Sequence, residues 1–193
     1  MLDVLLLPIG SYGDVYPFVG LGLGLRARGH RVRMAANGVY RGLAERHGFE
    51  FHETTTTSWF EDVTKHPHLY RPGVESIRTV ARLVLGEMEV QHRIVEGWVE
   101  GGGSVIVASP MAWAARIAQD RVGIPVVTSI LCPALFFSVH RTPRMSGLPL
   151  PAWMPSVVKR GVWNLVGRLI DSVMLEPINA LRAAWVQATR PEK

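Results

Sequence analysis

An α/β fold built on a parallel sheet is predicted by three features of this chain. Strand-like runs recur through residue 129 with helix-like segments between them, the pattern of strands joined by crossover helices. The first run, 2–7, enters a tight turn, Pro8-Ile-Gly-Ser-Tyr-Gly-Asp-Val-Tyr-Pro17, with glycines at 10 and 13 and one carboxylate, Asp14. The first two helical segments stop at Gly29 and Gly48, residues suited to the left-handed turn that closes a helix. Ligands of such sheets sit in the crevice at the carboxyl ends of the strands, so the turn at 8–17 is where chemistry is expected.

Each element follows from its own pattern. Strands are predicted at 4–7, 30–35, 50–53, 104–108 and 125–129. A first helix is expected over 17–28, because Pro17 suits a first turn and apolar residues follow it. A second opens at Asn37, a good N-cap, and runs to Gly48; both are expected to be about three turns long. Residues 54–73 show no clean period and carry a threonine run, Trp59, His66 and His68, which predicts a long loop over the mouth of the site. Helical spacing returns over 74–99, through Ala81, Val84, Met88, Val95 and Trp98, closed by Gly101 to Gly103, and predicts one long helix or a broken pair. A further helix is predicted over 111–122, then a Gly123-Ile-Pro125 turn into the last strand. Prolines crowd 141–155, and an amphipathic helix is predicted over 156–175. One compact domain spanning 1–193 is expected from the length and the 48% hydrophobic content.

Composition removes several classes. Cys132 is the single cysteine, which rules out an internal disulfide framework and suits a reducing compartment, so a cytoplasmic location is expected. The N-terminus carries Asp3 within its apolar run and no basic leader, and reads as a strand rather than a signal peptide. Residues 122–139 lack formal charge, but Pro125, Pro133, Thr128 and Ser129 break the run, so a buried strand and apolar loop fit better than a membrane span. The net charge of +5 lies wholly in 141–193, with 8 basic and 3 acidic residues there against 13 and 13 before it. Such a tail suits an acidic partner, membrane headgroups, nucleic acid, or a solvated arginine-rich helix face.

Among the motifs, Gly20-Leu-Gly22-Leu-Gly24 is not a dinucleotide fingerprint, since it falls inside a helix with the wrong spacing. Close packing of helix on sheet is the expected role. No Gly-Lys-Ser/Thr follows the first turn, so it is not a Walker loop, and no CxxC, HExxH or Ser-His-Asp order is present. His66-Pro-His68 lacks a third ligand at helical spacing, and no metal site is expected. His30, just before a strand, reads as a structural hydrogen-bonding residue. Asp14 has two compatible readings: a cap on the first helix, accepting backbone N–H groups, and an acid delivered by the turn to where chemistry can use it.

The run Gly10-Ser-Tyr-Gly-Asp-Val-Tyr-Pro17 with Leu21, Leu25, Arg28-Gly-His-Arg-Val32 and Ala35-Ala36 resembles the N-terminal half of GT-B glycosyltransferases of the sterol, rhamnolipid and glycopeptide-antibiotic type. Ser109-Pro110, Gly123-Ile-Pro125, the stretch 131–138 and Pro177-Ile-Asn-Ala-Leu-Arg182 look like the same acceptor domain, with the rhamnosyltransferase branch most similar. The resemblance implies a Rossmann-like, acceptor-binding half of an enzyme whose other half, a C-terminal domain, holds a nucleoside-diphosphate-sugar co-substrate. It implies an inverting transfer to a hydroxyl of a hydrophobic or lipid acceptor, with no bound cofactor or metal and with Asp14 as the base. The chain alone is then expected to be inactive. The histidine–aspartate pair of other branches does not transfer, since the strand at 105–108 ends in Ser109.

Acceptor contacts are expected from Ser11 and Tyr12 in the first turn and from Trp59, Met111, Trp113, Leu135, Phe136 and Phe137, each of which has core packing as its alternative. The region from Trp153 to Trp163, basic through Lys159 and Arg160, suits either peripheral membrane contact or packing within the domain. Nucleic acid is not an expected partner. The rival readings are a non-catalytic Rossmann-like module that scaffolds a partner domain and a small nucleotide-binding regulator.

Overall fold

The computed structural model describes residues 1–67, 69, 74–132, 135–136, 138–143 and 150–187. The chain divides into two compact units, Met1–Lys65 with Leu83–Leu131, and His66–Arg82 with Cys132–Lys193.

The first unit holds the sheet. Its strands are β1 (Asp3–Leu7), β2 (Arg31–Ala36), β3 (Glu50–Glu53), β4 (Val105–Ala108) and β5 (Val126–Thr128). Their order is β3-β2-β1-β4-β5, and every pairing is parallel. The chain winds outward through β1, β2 and β3, then crosses back to place β4 on the other side of β1. The gap between β1 and β4 is therefore the topological switch point, where crevices of such sheets open. The five expected strands are all present, each within one residue of its expected ends.

Both faces of the sheet are covered, which is why β1 reads as an unbroken apolar run. On one face Val4, Leu6, Val32, Met34 and Val107 pack with Val15, Phe18 and Val19 of α1 (Tyr12–Ala27) and Ala44 of α2 (Arg41–Arg46). On the other, Leu5, Leu7, Ile106 and Ala108 meet Val95 and Trp98 of α4 (Val74–Glu100) and Ala115 and Ala118 of α5 (Trp113–Val122). The alternation of Val4 and Leu6 against Leu5 and Leu7 is the period of two that a strand imposes.

Gly22 confirms the packing role expected of its motif, since a Cβ there would come within 2.7 Å of Phe49 and 2.9 Å of Leu6. His30 is structural as expected, its Nδ1 accepting from the Leu2 N–H at 3.2 Å.

Four local expectations are corrected. Helix α1 starts at Tyr12, not Pro17, because Ser11 and Asp14 close its first turn, and Pro17 becomes its sixth residue. Proline is tolerated so early because Gly13, whose carbonyl loses its partner, is exposed. The segment after Asn37 is a 3₁₀ turn, Gly38–Tyr40, followed by the six-residue α2, not one three-turn helix. The supposed structureless loop contains α3 (Thr57–Thr64), capped by Thr56, whose hydroxyl accepts from the Trp59 N–H at 3.3 Å. The last helix, α6 (Ser156–Gln187), continues twelve residues past its expected end and carries Pro177 inside it.

In the second unit, α6 buries Trp163 and Trp185, and the Trp163 indole N–H donates to the Ser138 carbonyl at 3.4 Å. Lys159 is buried, its ammonium donating to the Ala152 carbonyl at 3.1 Å; it adds no charge to the surface near Trp153. No described helix is long and apolar enough to cross a membrane.

Candidate active site

The turn after β1 is built around Asp14. The Ser11 N–H donates to Asp14 Oδ2 at 2.8 Å and the Ser11 hydroxyl donates to the same oxygen at 3.0 Å. The Asp14 N–H in turn donates to the Ser11 carbonyl at 2.9 Å. This is the carboxylate half of a capping box, at a helix terminus whose dipole favours negative charge. Both readings of the sequence stay open, because Asp14 is half-buried and every described bond falls on Oδ2, so Oδ1 is available to another donor.

Gly10 makes this geometry possible. Its φ is +127°, a region that side chains avoid, and a Cβ there would lie 2.8 Å from Asp14 Cγ.

Aromatic rings support the turn. Tyr12 and Tyr16, both about half exposed, stack with centroids 5.8 Å apart. Tyr40 is buried and meets Tyr12 edge-on at 5.1 Å and Phe60 at 5.7 Å, and its hydroxyl donates to the Gly10 carbonyl at 3.2 Å. Burial first, then the neighbouring Tyr12 and Asp14, raises the Tyr40 phenol well above the ordinary tyrosine value, so it stays a donor. Sequence reasoning missed Tyr40, although an aromatic residue three positions after the Asn37 cap, at the carboxyl end of β2, was there to be seen.

The remaining expected site residues are distributed as follows. Ser11, Tyr12 and Asp14 come together in the β1 turn. Met111 and Trp113 follow β4, the strand on the far side of the switch point, and both are half-buried; the Trp113 indole nitrogen is buried with no partner among the described residues. Trp59 lies on α3, after β3, at the same edge of the sheet. Leu135 and Phe136 belong to the second unit and are exposed. Phe137 lies outside the described residues, as does His68 of the His66-Pro-His68 pair. No group of three potential metal ligands occurs among the described residues.

A second polar cluster went unread in the sequence. Thr54, just past β3, donates to Glu87 Oε2 at 3.3 Å, and the Gln91 amide donates to the same oxygen at 3.1 Å. All three residues are buried. Burial raises the Glu87 carboxyl above the usual range, against the lowering effect of the Gln91 and Thr54 bonds. The signal was Gln91, a polar residue on the stripe that Val84, Met88, Val95 and Trp98 form along α4.

The sequence profile of the glycosyltransferase family 28 N-terminal domain matches residues 4–134. The chain belongs to that family. The matched span of the family 28 domain contains the whole sheet and the Asp14 turn. Among relatives, an O-mycaminosyltylonolide 6-deoxyallosyltransferase from Streptomyces fradiae is 53% identical over 53 residues, 28% of this chain and 13% of its own length. A sterol 3-beta-glucosyltransferase from Glomerella lagenarium is 31% identical over 140 residues, 68% of this chain and 9% of its own. The family 28 chain thus spans about a tenth of the length of these relatives. Among solved structures, the glycosyltransferase SnogD from Streptomyces nogalater superimposes with a TM-score of 0.54 at 22% identity, covering 69% of this chain and 35% of that one. The fold is the Rossmann-like N-terminal half of a GT-B architecture, as the sequence resemblance implied.

Proposed function

We propose that this family 28 domain is the acceptor-binding half of an inverting glycosyltransferase that moves a sugar from a nucleoside-diphosphate-sugar to a hydroxyl of a hydrophobic acceptor, with Asp14 as general base. The supporting observation is the Asp14 carboxylate itself: it stands at the carboxyl end of β1 beside the switch point, with Oδ2 held by Ser11 and Oδ1 available.

In the transfer, the acceptor oxygen attacks the anomeric carbon while the bond from that carbon to the diphosphate oxygen breaks. The nucleoside diphosphate departs with the bonding electron pair, and the acceptor proton passes to Asp14 Oδ1. Because Ser11 fixes one oxygen, the other is oriented before the acceptor arrives, and placement of the base is what such a carboxylate contributes. The acceptor would lie along Tyr12, Trp59, Met111 and Trp113. Relatives named for a sterol and for O-mycaminosyltylonolide support a bulky hydrophobic acceptor.

The test joins this chain to a donor-binding domain of the same family and supplies a nucleoside-diphosphate-sugar with a panel of sterols and other hydrophobic alcohols. Asp14→Asn keeps an oxygen to accept from Ser11, so the helix start survives, while sugar transfer is expected to fall by about a hundred- to ten-thousandfold. Transfer by Asp14→Asn at the parental rate would remove Asp14 from the chemistry.

A further inference from the structure

We propose that Tyr40 is the positioning residue of the transfer step, holding through the Gly10 carbonyl the turn in which Asp14 presents its free oxygen. This inference rests on the reading of Asp14 as the base.

Tyr40 is 1% exposed, yet it spends its single polar group on a surface turn 30 residues away in sequence. A residue present only to fill the core would be served by phenylalanine. Its ring is fixed from two sides, edge-on to Tyr12 and to Phe60, so the hydroxyl has a defined position from which to hold Gly10. The Gly10 peptide matters to Asp14 in two ways. A Cβ on Gly10 would lie 2.8 Å from Asp14 Cγ, so the backbone there is the wall against which the carboxylate rests. The same peptide unit supplies the Ser11 N–H that holds Oδ2 at 2.8 Å. If the Gly10 carbonyl is released, the peptide can rotate and both constraints on the carboxylate loosen together. Because Tyr40 stays protonated, the clamp persists at alkaline pH.

Tyr40→Phe keeps the ring contacts and removes only the O–H. In the enzyme assembled with its donor domain, kcat is expected to fall about five- to tenfold, the effect of one lost hydrogen bond, with KM for acceptor and sugar donor unchanged. In this chain alone, exchange of the Ser11 amide should quicken by a similar factor. In an Asp14→Asn background, Tyr40→Phe should lower kcat no further, since nothing remains to be positioned; a purely structural tyrosine would add its loss in full. A parental kcat for Tyr40→Phe, or an additive loss in that background, overturns the proposal. Gly10→Ala checks the same wall from the other side and should lower kcat without moving KM; a parental kcat there also overturns it. Failure of the base reading is separately visible, because it shows as full activity of Asp14→Asn with Tyr40 intact.

Discussion

Two glycines on α1 offer an internally controlled test of how this helix meets the sheet. Gly20 is exposed, with nothing within 4 Å of where an alanine methyl would stand, whereas a Cβ on Gly22 would stand 2.7 Å from Phe49 Cζ and 2.9 Å from Leu6 Cδ1. Ordinary carbon–carbon contact is about 3.5–4.0 Å, so the alanine methyl at 22 would overlap each neighbour by roughly 1 Å. Neither neighbour has room to yield, since Leu6 and Phe49 are 0% and 3% exposed. Replacing glycine by alanine within a helix gains about 1 kcal/mol, and overpacking a filled core costs about 1–3 kcal/mol. Gly20→Ala should therefore stabilise by about 1 kcal/mol, which it gains without opposition. Gly22→Ala should come out between about neutral and 2 kcal/mol destabilised. Urea unfolding followed by circular dichroism measures both, provided the slope with denaturant is unchanged. Equal stabilisation by the two substitutions would refute close approach of α1 to the sheet at Gly22.

Three further outcomes are expected. Burial raises the Glu87 carboxyl in the folded chain, so the native state keeps that proton to higher pH than the unfolded chain does. Its contribution is then full at acidic pH, below the unfolded value, and declines as pH rises through the folded value. Glu87→Gln should remove that decline and gain on the parent from acidic to neutral pH in paired unfolding curves; a pH-independent difference contradicts this. Asn37 accepts from the Val39 N–H at 2.9 Å and donates to Thr55 Oγ1 at 2.6 Å and to the Thr56 carbonyl at 3.0 Å. Asn37→Ala should thus cost about 2–3 kcal/mol in the same assay, more than loss of a simple cap, and a cost under about 1 kcal/mol would show the bridge to Thr55 and Thr56 to be idle. Asp14→Ala, unlike Asp14→Asn, should also lose about 1 kcal/mol of stability with its cap, so equal melting temperatures for the two variants would deny the capping role.

The central part of the sheet was legible because β1 and β4 are buried and read as short apolar runs, whereas the partly exposed edge strands β3 and β5 were marked by the glycine turns at Gly48 and Gly123 that precede them. The β1 turn was legible for the same reason, with Gly10, Gly13 and Asp14 adjacent in sequence. What could not be read was whatever depends on partners far along the chain. Pro17 pointed to a helix start at 17, but the Ser11–Asp14 clasp, three to six residues earlier, outweighed it. The threonine run at 54–57 looked like loop, although Thr56 is the cap that begins α3. Tyr40 and Glu87 gave little sign of their roles because Gly10 and Thr54, their partners, are 30 and 33 residues away.

The two roles given to Asp14, the cap observed and the base proposed, also shape how this position can change over time. A descendant with no need of a base there would still be held by its own folding to asparagine, serine or aspartate, because the first turn of α1 closes on that side chain. Loss of the proposed base role should thus leave the acid, or a close substitute, in place, and be recorded first at residues with no part in starting the helix.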